Sequence, residues 1–181
     1  MVSKFKVTGE IEERYGVAPN NPTEVEFRHP DNDDAVLVGI GLRAKSDNIT
    51  TLNLLYARIG EDGTINQDDT VLIKKGVAPN NELEVWFQCP NPDEIIVGCG
   101  MRAKSDNVTT LHIHTRKLNS ETGVLSQSHT HRAGQIPNHE LEVDGRATAD
   151  VERSCLRGMA LRMKDDNVTT MVHYYGSIEA R

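Results

Sequence analysis

Cysteine, aromatic rings, net positive charge and long apolar runs are all lacking or scarce in this 181-residue chain. Three cysteines, Cys89, Cys99 and Cys155, allow at most one internal disulfide and leave a thiol over. Their wide spacing is unlike the close pairs of a zinc motif, which reads as incidental thiols kept reduced. A formal net charge of −7 and a pI near 5.5 argue against a nucleic-acid or acidic-membrane partner, because phosphate binding needs a basic face. No apolar run approaches the roughly 20 residues that a bilayer-spanning helix needs. The opening MVSKFKVTGEIEERYG has no apolar core of a signal peptide, so a cytoplasmic chain and a mature secreted one both stay open.

What the chain has in abundance is itself. AKSDNITTLNL from Ala44 returns as AKSDNVTTLHI from Ala103 and as MKDDNVTTMVH from Met163, a period of about 60 residues. GVAPNN from Gly16 returns as GVAPNN from Gly76 and GQIPNH from Gly134, leading into EVEF, LEVWF and LEV. VGIGLRAK from Val38 matches VGCGMRAK from Val97 and RGMALRMK from Arg157. With no linker between copies, residues 1–181 read as one domain of three repeats, roughly 1–62, 63–122 and 123–181.

Each repeat is patterned for strands. In VLVGIGLRAK, period-two alternation puts Val36, Val38, Ile40, Leu42 and Ala44 on one face, with Leu37, Gly39, Gly41 and Arg43 on the other. Ser46-Asp47-Asn48 is turn chemistry, and ITTLNLLYARI is a β-branched return strand. Gly60 to Gly63 and Asn119 to Gly123 mark further hairpin turns. About four strands per repeat and no helix predict an all-β fold, a β-prism of three four-stranded sheets with pseudo-threefold symmetry. A β-trefoil is the alternative, disfavoured by the long repeat and the lack of a Gln-x-Trp signature. One repeat alone cannot bury its apolar face, so all three must close together.

HPDNDDAVLVGIGLRAKSDNITTLNL, CPNPDEIIVGCGMRAKSDNVTTLHI and RSCLRGMALRMKDDNVTTMVH together resemble the vitelline membrane outer layer protein I family. That resemblance implies a three-repeat β-prism similar to those of jacalin-like lectins and insecticidal crystal toxins. The family is secreted and disulfide-rich and opens its repeats with Trp-Gly, whereas this chain has three cysteines and opens its repeats with GVAPNN and EVEF.

Two rings of polar residues are the candidate ligand sites. One comprises Asp47, Asn48, Asp106, Asn107, Asp166 and Asn167; the other comprises Asn20, Asn21, Asn80, Asn81, Asn138 and His139. Asp and Asn offer the acceptors and donors that sugar hydroxyls need. The competing explanation is that each hairpin requires the motif for its own turn. Arg43, Lys45, Arg102, Lys104, Arg162 and Lys164 read as an exposed, solubilising face. His112 and His114, like His129 and His131, read as surface histidines. Two imidazoles at i and i+2 lack the further ligands of a metal site, so neither a metal nor a cofactor is expected. The Asn-x-Thr triplets at Asn48, Asn107 and Asn167 formally match a glycosylation acceptor, with the Thr explained by the strand. No nucleophile elbow, phosphate-cradling loop or Cys-His arrangement appears, and no catalytic residue is assigned.

The expected function is non-enzymatic, lectin-like glycan binding by polar turns shown on three repeats, with homo-oligomerisation left open. The alternatives are a structural, interaction or toxin-type scaffold with no small ligand, and a glycan-active enzyme. Against the glycan reading stands the shortage of aromatics: the one tryptophan, Trp86, lies in the second repeat. The third repeat lacks the aromatic of EVEF and LEVWF, so an exact threefold function is not expected.

Overall fold

Each Arg-x-Lys run ends in a two-residue hairpin loop. Lys45 pairs with Asn48, Lys104 with Asn107 and Lys164 with Asn167. Ser46 and Asp165 hold φ of 55° and 54°, the left-handed angle that such loops need at their first position. The asparagine expected in the turn instead begins the return strand. A computed structural model describes residues 2–16, 23–27, 32–46, 48–76, 83–104, 107–134, 141–143, 145, 151–165 and 167–181. Asp47, Asp106 and Asp166 lie outside them.

The repeated Thr-Thr has a structural cause. In each hairpin the ladder skips the first threonine, Thr50, Thr109 or Thr169, which becomes the extra residue of a β-bulge. Its side chain is fully buried, and its hydroxyl donates back across the hairpin to the carbonyl of Arg43, Arg102 or Arg162, at 3.3, 3.3 and 3.2 Å. A second bulge sits at Val38, Val97 and Arg157. It corrects the simple alternation expected for the first strand of the hairpin. Leu37 pairs with Tyr56, on the same side as Ile40 and Leu42 opposite Leu54 and Leu52, and all are buried.

Twelve strands follow: β1 Phe5–Gly16, β2 Thr23–Phe27, β3 Ala35–Lys45, β4 Asn48–Ile59, β5 Ile65–Gly76, β6 Leu83–Gln88, β7 Glu94–Lys104, β8 Asn107–Leu118, β9 Leu125–Gly134, β10 Leu141–Val143, β11 Ser154–Lys164 and β12 Asn167–Ala180. They form three antiparallel sheets, ordered β5-β4-β3-β6, β10-β7-β8-β9 and β1-β12-β11-β2. Each is a Greek key, in which a meander of three strands is completed by a fourth returning beside the first. In the third sheet the key is cut: β11 and β12 come from the end of the chain, β1 and β2 from its beginning. Three separate four-stranded sheets make a prism and not a trefoil. Among the described residues no helix is long and apolar enough to cross a membrane.

The inner faces share one apolar core, including Ile40, Leu42 and Leu54 from the first sheet, Cys99, Met101 and Ile113 from the second, and Met159, Leu161 and Met171 from the third. All three cysteines are free and buried, and burial pushes each thiol up to about 12, so thiolate chemistry is suppressed. One imidazole interrupts this core. His173 is fully buried, its Nδ1 is 3.0 Å from the Tyr175 hydroxyl, and the Tyr15 ring lies 4.8 Å away. Its Nε2 has no partner among the described residues. Desolvation drives its pKa down to about 3, partly opposed by Glu13 and reinforced by His114.

Candidate functional site

The registers bring the strand ends that flank both predicted polar rings to one end of the prism. Strands β3, β7 and β11 finish there, and β4, β8 and β12 begin there, around the three hairpin loops. β1 also finishes at this end, since Gly16 pairs with Thr170 beside the start of β12. Gly76 pairs with Thr51, and Gly134 with Thr110, in the same way. The fourth strand of each key starts at this end too: Thr23 opposite Met163, Leu83 opposite Ala44 and Leu141 opposite Ala103. The chain therefore leaves and re-enters every sheet beside a hairpin tip, through the connections that hold Asn20, Asn21, Asn80, Asn81, Asn138 and His139. Those six residues lie outside the described set.

The three ends face the same way because their opposite ends meet. Phe5 at the start of β1 lies against both Gly63 in the β4–β5 turn and Gly123 in the β8–β9 turn. Both glycines hold positive φ, 80° and 70°. A side chain at Gly63 would sit 2.1 Å from the Ser120 carbonyl oxygen, so only glycine lets the turns touch. A cleft of about 440 Å³ between these turns is lined by Thr64, Pro92, Asp93 and Asn119, among others. It lies at the end of the prism away from the hairpin tips.

At the hairpin end, Asn48, Asn107 and Asn167 are half-buried, and Lys45, Lys104 and Lys164 are exposed beside them. The arginines expected on a solvated face are instead half-buried. They occupy one rung that is repeated in all three sheets. Arg43 stands in register between Thr51 and Glu84, Arg102 between Thr110 and Glu142, and Arg162 between Thr170 and Glu24. Cross-strand placement of opposite charges and a hydroxyl favours the pairing that closes each key. The sequence holds this signal, in the glutamates of EVEF, LEVWF and LEV, but it becomes visible only once the strand order is known.

The histidines divide. His112 and His114, expected at the surface, are buried, 6% and 2% exposed. His114 Nδ1 lies 3.0 Å from the Thr130 hydroxyl. On β9, His129 is half exposed, and its Nδ1–H donates to Glu94 Oε1 at 2.9 Å. Glu94 is fully buried and also accepts from Asn91 Nδ2 at 3.1 Å. His131 stacks on Phe87 at 4.7 Å, joining the edges of the first and second sheets. Among the described residues no three His, Cys, Asp or Glu side chains gather into a group that could hold a metal ion.

Solved structures share this architecture. A Malaysian banana lectin superposes with a TM-score of 0.54 at 14% identity, over 93% of this chain and 99% of that one. The fold is that of the β-prism lectins. A mannose-specific jacalin-related lectin from Morus nigra, solved with mannose, matches this β-prism with a TM-score of 0.54 at 13% identity, over 93% of this chain and 96% of that one. A prostate-specific WGA16 glycoprotein lectin reaches 0.56 at 12% identity, over 91% of this chain and 99% of that one. No family model matches the chain, and no curated protein matches it in sequence.

Proposed function

We propose that this β-prism is a non-enzymatic glycan-binding protein whose ligand sits at the hairpin end. The observation that carries the reading is the convergence there of the strand ends that flank all three hairpin loops and all three Greek-key connections. Asp47, Asp106 and Asp166 would accept hydroxyl protons, and the paired asparagines would both donate and accept. Three related sites carried on one framework favour weak individual contacts used together. The mannose complex of the Morus nigra lectin on the same fold supports a sugar as the ligand class. A relation to the vitelline membrane outer layer protein I family is the finer part of the proposal, and rests on the tripled Arg-x-Lys to Thr-Thr run.

The bulge hydrogen bonds of Thr50, Thr109 and Thr169 favour a second reading, in which the motif serves folding alone and the prism is a scaffold. Replacing Asp47, Asp106 and Asp166 together by alanine separates the two. Under the glycan reading, affinity on a glycan array and by calorimetry falls more than tenfold while the melting temperature barely moves. A protein that binds no glycan of any class, or a variant that loses stability and no affinity, removes the glycan reading.

A further inference from the structure

The outer face of the sheet β5-β4-β3-β6 carries the only tryptophan of the chain. Trp86 on β6 stands opposite Gly41 on β3, and its indole lies down over that glycine. A Cβ at Gly41 would meet Trp86 Cε3 at 2.1 Å and Cζ3 at 2.3 Å, so the flat placement of the ring depends on glycine. The indole remains 43% exposed. The same rung continues to Asn53 on β4 and Lys74 on β5. The Asn53 amide nitrogen lies 3.2 Å from that same Cβ position, which sets the amide beside the edge of the ring.

Two polar atoms on this face have no partner among the described residues. Asn53 is only 3% exposed, and its Oδ1 has no partner among the described residues. One rung away, Gly39 stands opposite Gln88, whose Nε2 donates to Gln67 Oε1 at 3.3 Å. The Gln67 Nε2 is buried and again without a partner among the described residues. Buried amide groups are ordinarily satisfied, so two orphans beside one exposed aromatic platform leave hydrogen-bonding capacity that a ligand on this face can use once the side chains turn outward. On the other side of Trp86 stands the rung of Thr51, Arg43 and Glu84. Successive rungs on one face are about 7 Å apart, a step comparable to one sugar residue in an oligosaccharide.

The arrangement is not tripled. In the third sheet, Ala160 and Val172 occupy the places of Gly41 and Asn53, and Glu26 that of Trp86. In the second sheet His112 stands opposite Gly100. Only one of the three faces combines glycine, tryptophan and asparagine.

We propose that this face is a second saccharide site, distinct from the hairpin end, at which Trp86 stacks on the C–H face of a pyranose ring in a neutral oligosaccharide. An aromatic ring supplies a flat apolar surface, and the amides of Asn53 and Gln67 take hydroxyls of the stacked ring and its neighbour. The site is carried by the sheet and does not rest on the reading of the hairpin end.

Because Trp86 is the sole tryptophan, emission excited at the red edge of the indole band, beyond tyrosine absorption, reports on this site alone. The full chain is titrated with mannotriose, cellotriose, chitotriose and galactotriose. At least one should shift or quench the emission saturably, and equally so in the Asp47, Asp106 and Asp166 triple alanine variant. By calorimetry, Trp86→Ala should weaken that trisaccharide at least tenfold and Trp86→Phe should recover part of the loss. Circular dichroism checks that each variant folds, and Asn53→Leu gives a second route to the same loss should Trp86→Ala misfold. Flat emission with all four sugars, unchanged affinity in Trp86→Ala, or loss of the emission response in the hairpin variant would overturn the proposal.

Discussion

Among the buried imidazoles, His173 couples the stability of the fold to acid. His173 is neutral in the folded prism, with a pKa near 3 against 6.5 in the unfolded chain. Between those values the unfolded chain binds the extra proton, so stability is full above pH 6.5 and declines as pH falls. The limiting slope is about 1.4 kcal/mol per pH unit, which amounts to about 2 kcal/mol between pH 7 and pH 5. Urea titrations at those two pH values should show that loss in the native sequence and a much smaller one in His173→Gln. Equal losses in both would place the acid sensitivity elsewhere. The sequence offers little warning of this residue. His173 aligns with Ile113 and Leu54, apolar positions in the other repeats, and only the pairing of β12 with β1 brings Tyr15 and Glu13 beside it.

The hairpin with two bulges is the element from which the prism is made. Thr50→Val, Thr109→Val and Thr169→Val each remove one buried hydroxyl donor and keep the shape of the side chain. Each should cost about 1 kcal/mol, the usual net worth of such a bond, and the three losses should add because each bond closes within its own hairpin and shares no partner with the others. Denaturant midpoints of the single and triple variants check both statements, and stability unchanged by the triple substitution would strip the Thr-Thr run of its structural role. This element was legible to a useful degree. Tripled Arg-x-Lys, turn and Thr-Thr runs announced the strands and their number, and the long repeat favoured three sheets. The bulges were not legible, because an inserted residue such as Val38 leaves the composition of a strand intact while reversing which neighbours face inward. For the same reason Leu37 seemed to belong to the outer face. The rung of threonine, arginine and glutamate, and the meeting of Trp86 with Gly41, needed the return of β6 beside β3, a pairing set by topology and not by any local pattern.

At the scale of the whole molecule, the third sheet is the seam of the ring. Its strands β1 and β2 pair with β12 and β11, and the Arg181 N–H donates to the Lys4 carbonyl at 3.1 Å. A circular permutant that links residue 181 to residue 2 through a short glycine-serine linker, and opens the chain in the connection between β2 and β3, makes every Greek key continuous in sequence. It should adopt the same prism and refold several-fold faster, because the longest loop closure is removed. Stopped-flow refolding followed by Trp86 emission measures this, and a permutant that refolds more slowly would show that the seam does not limit folding. The same seam imposes an order on biosynthesis. Of the strands of this prism, the earliest to leave the ribosome are partnered by the latest, so β1 waits as an open edge until β12 has been made. Its Glu10, Glu12, Glu13 and Arg14 suit that interval, since a strand studded with charge is a poor template for a neighbouring nascent polypeptide.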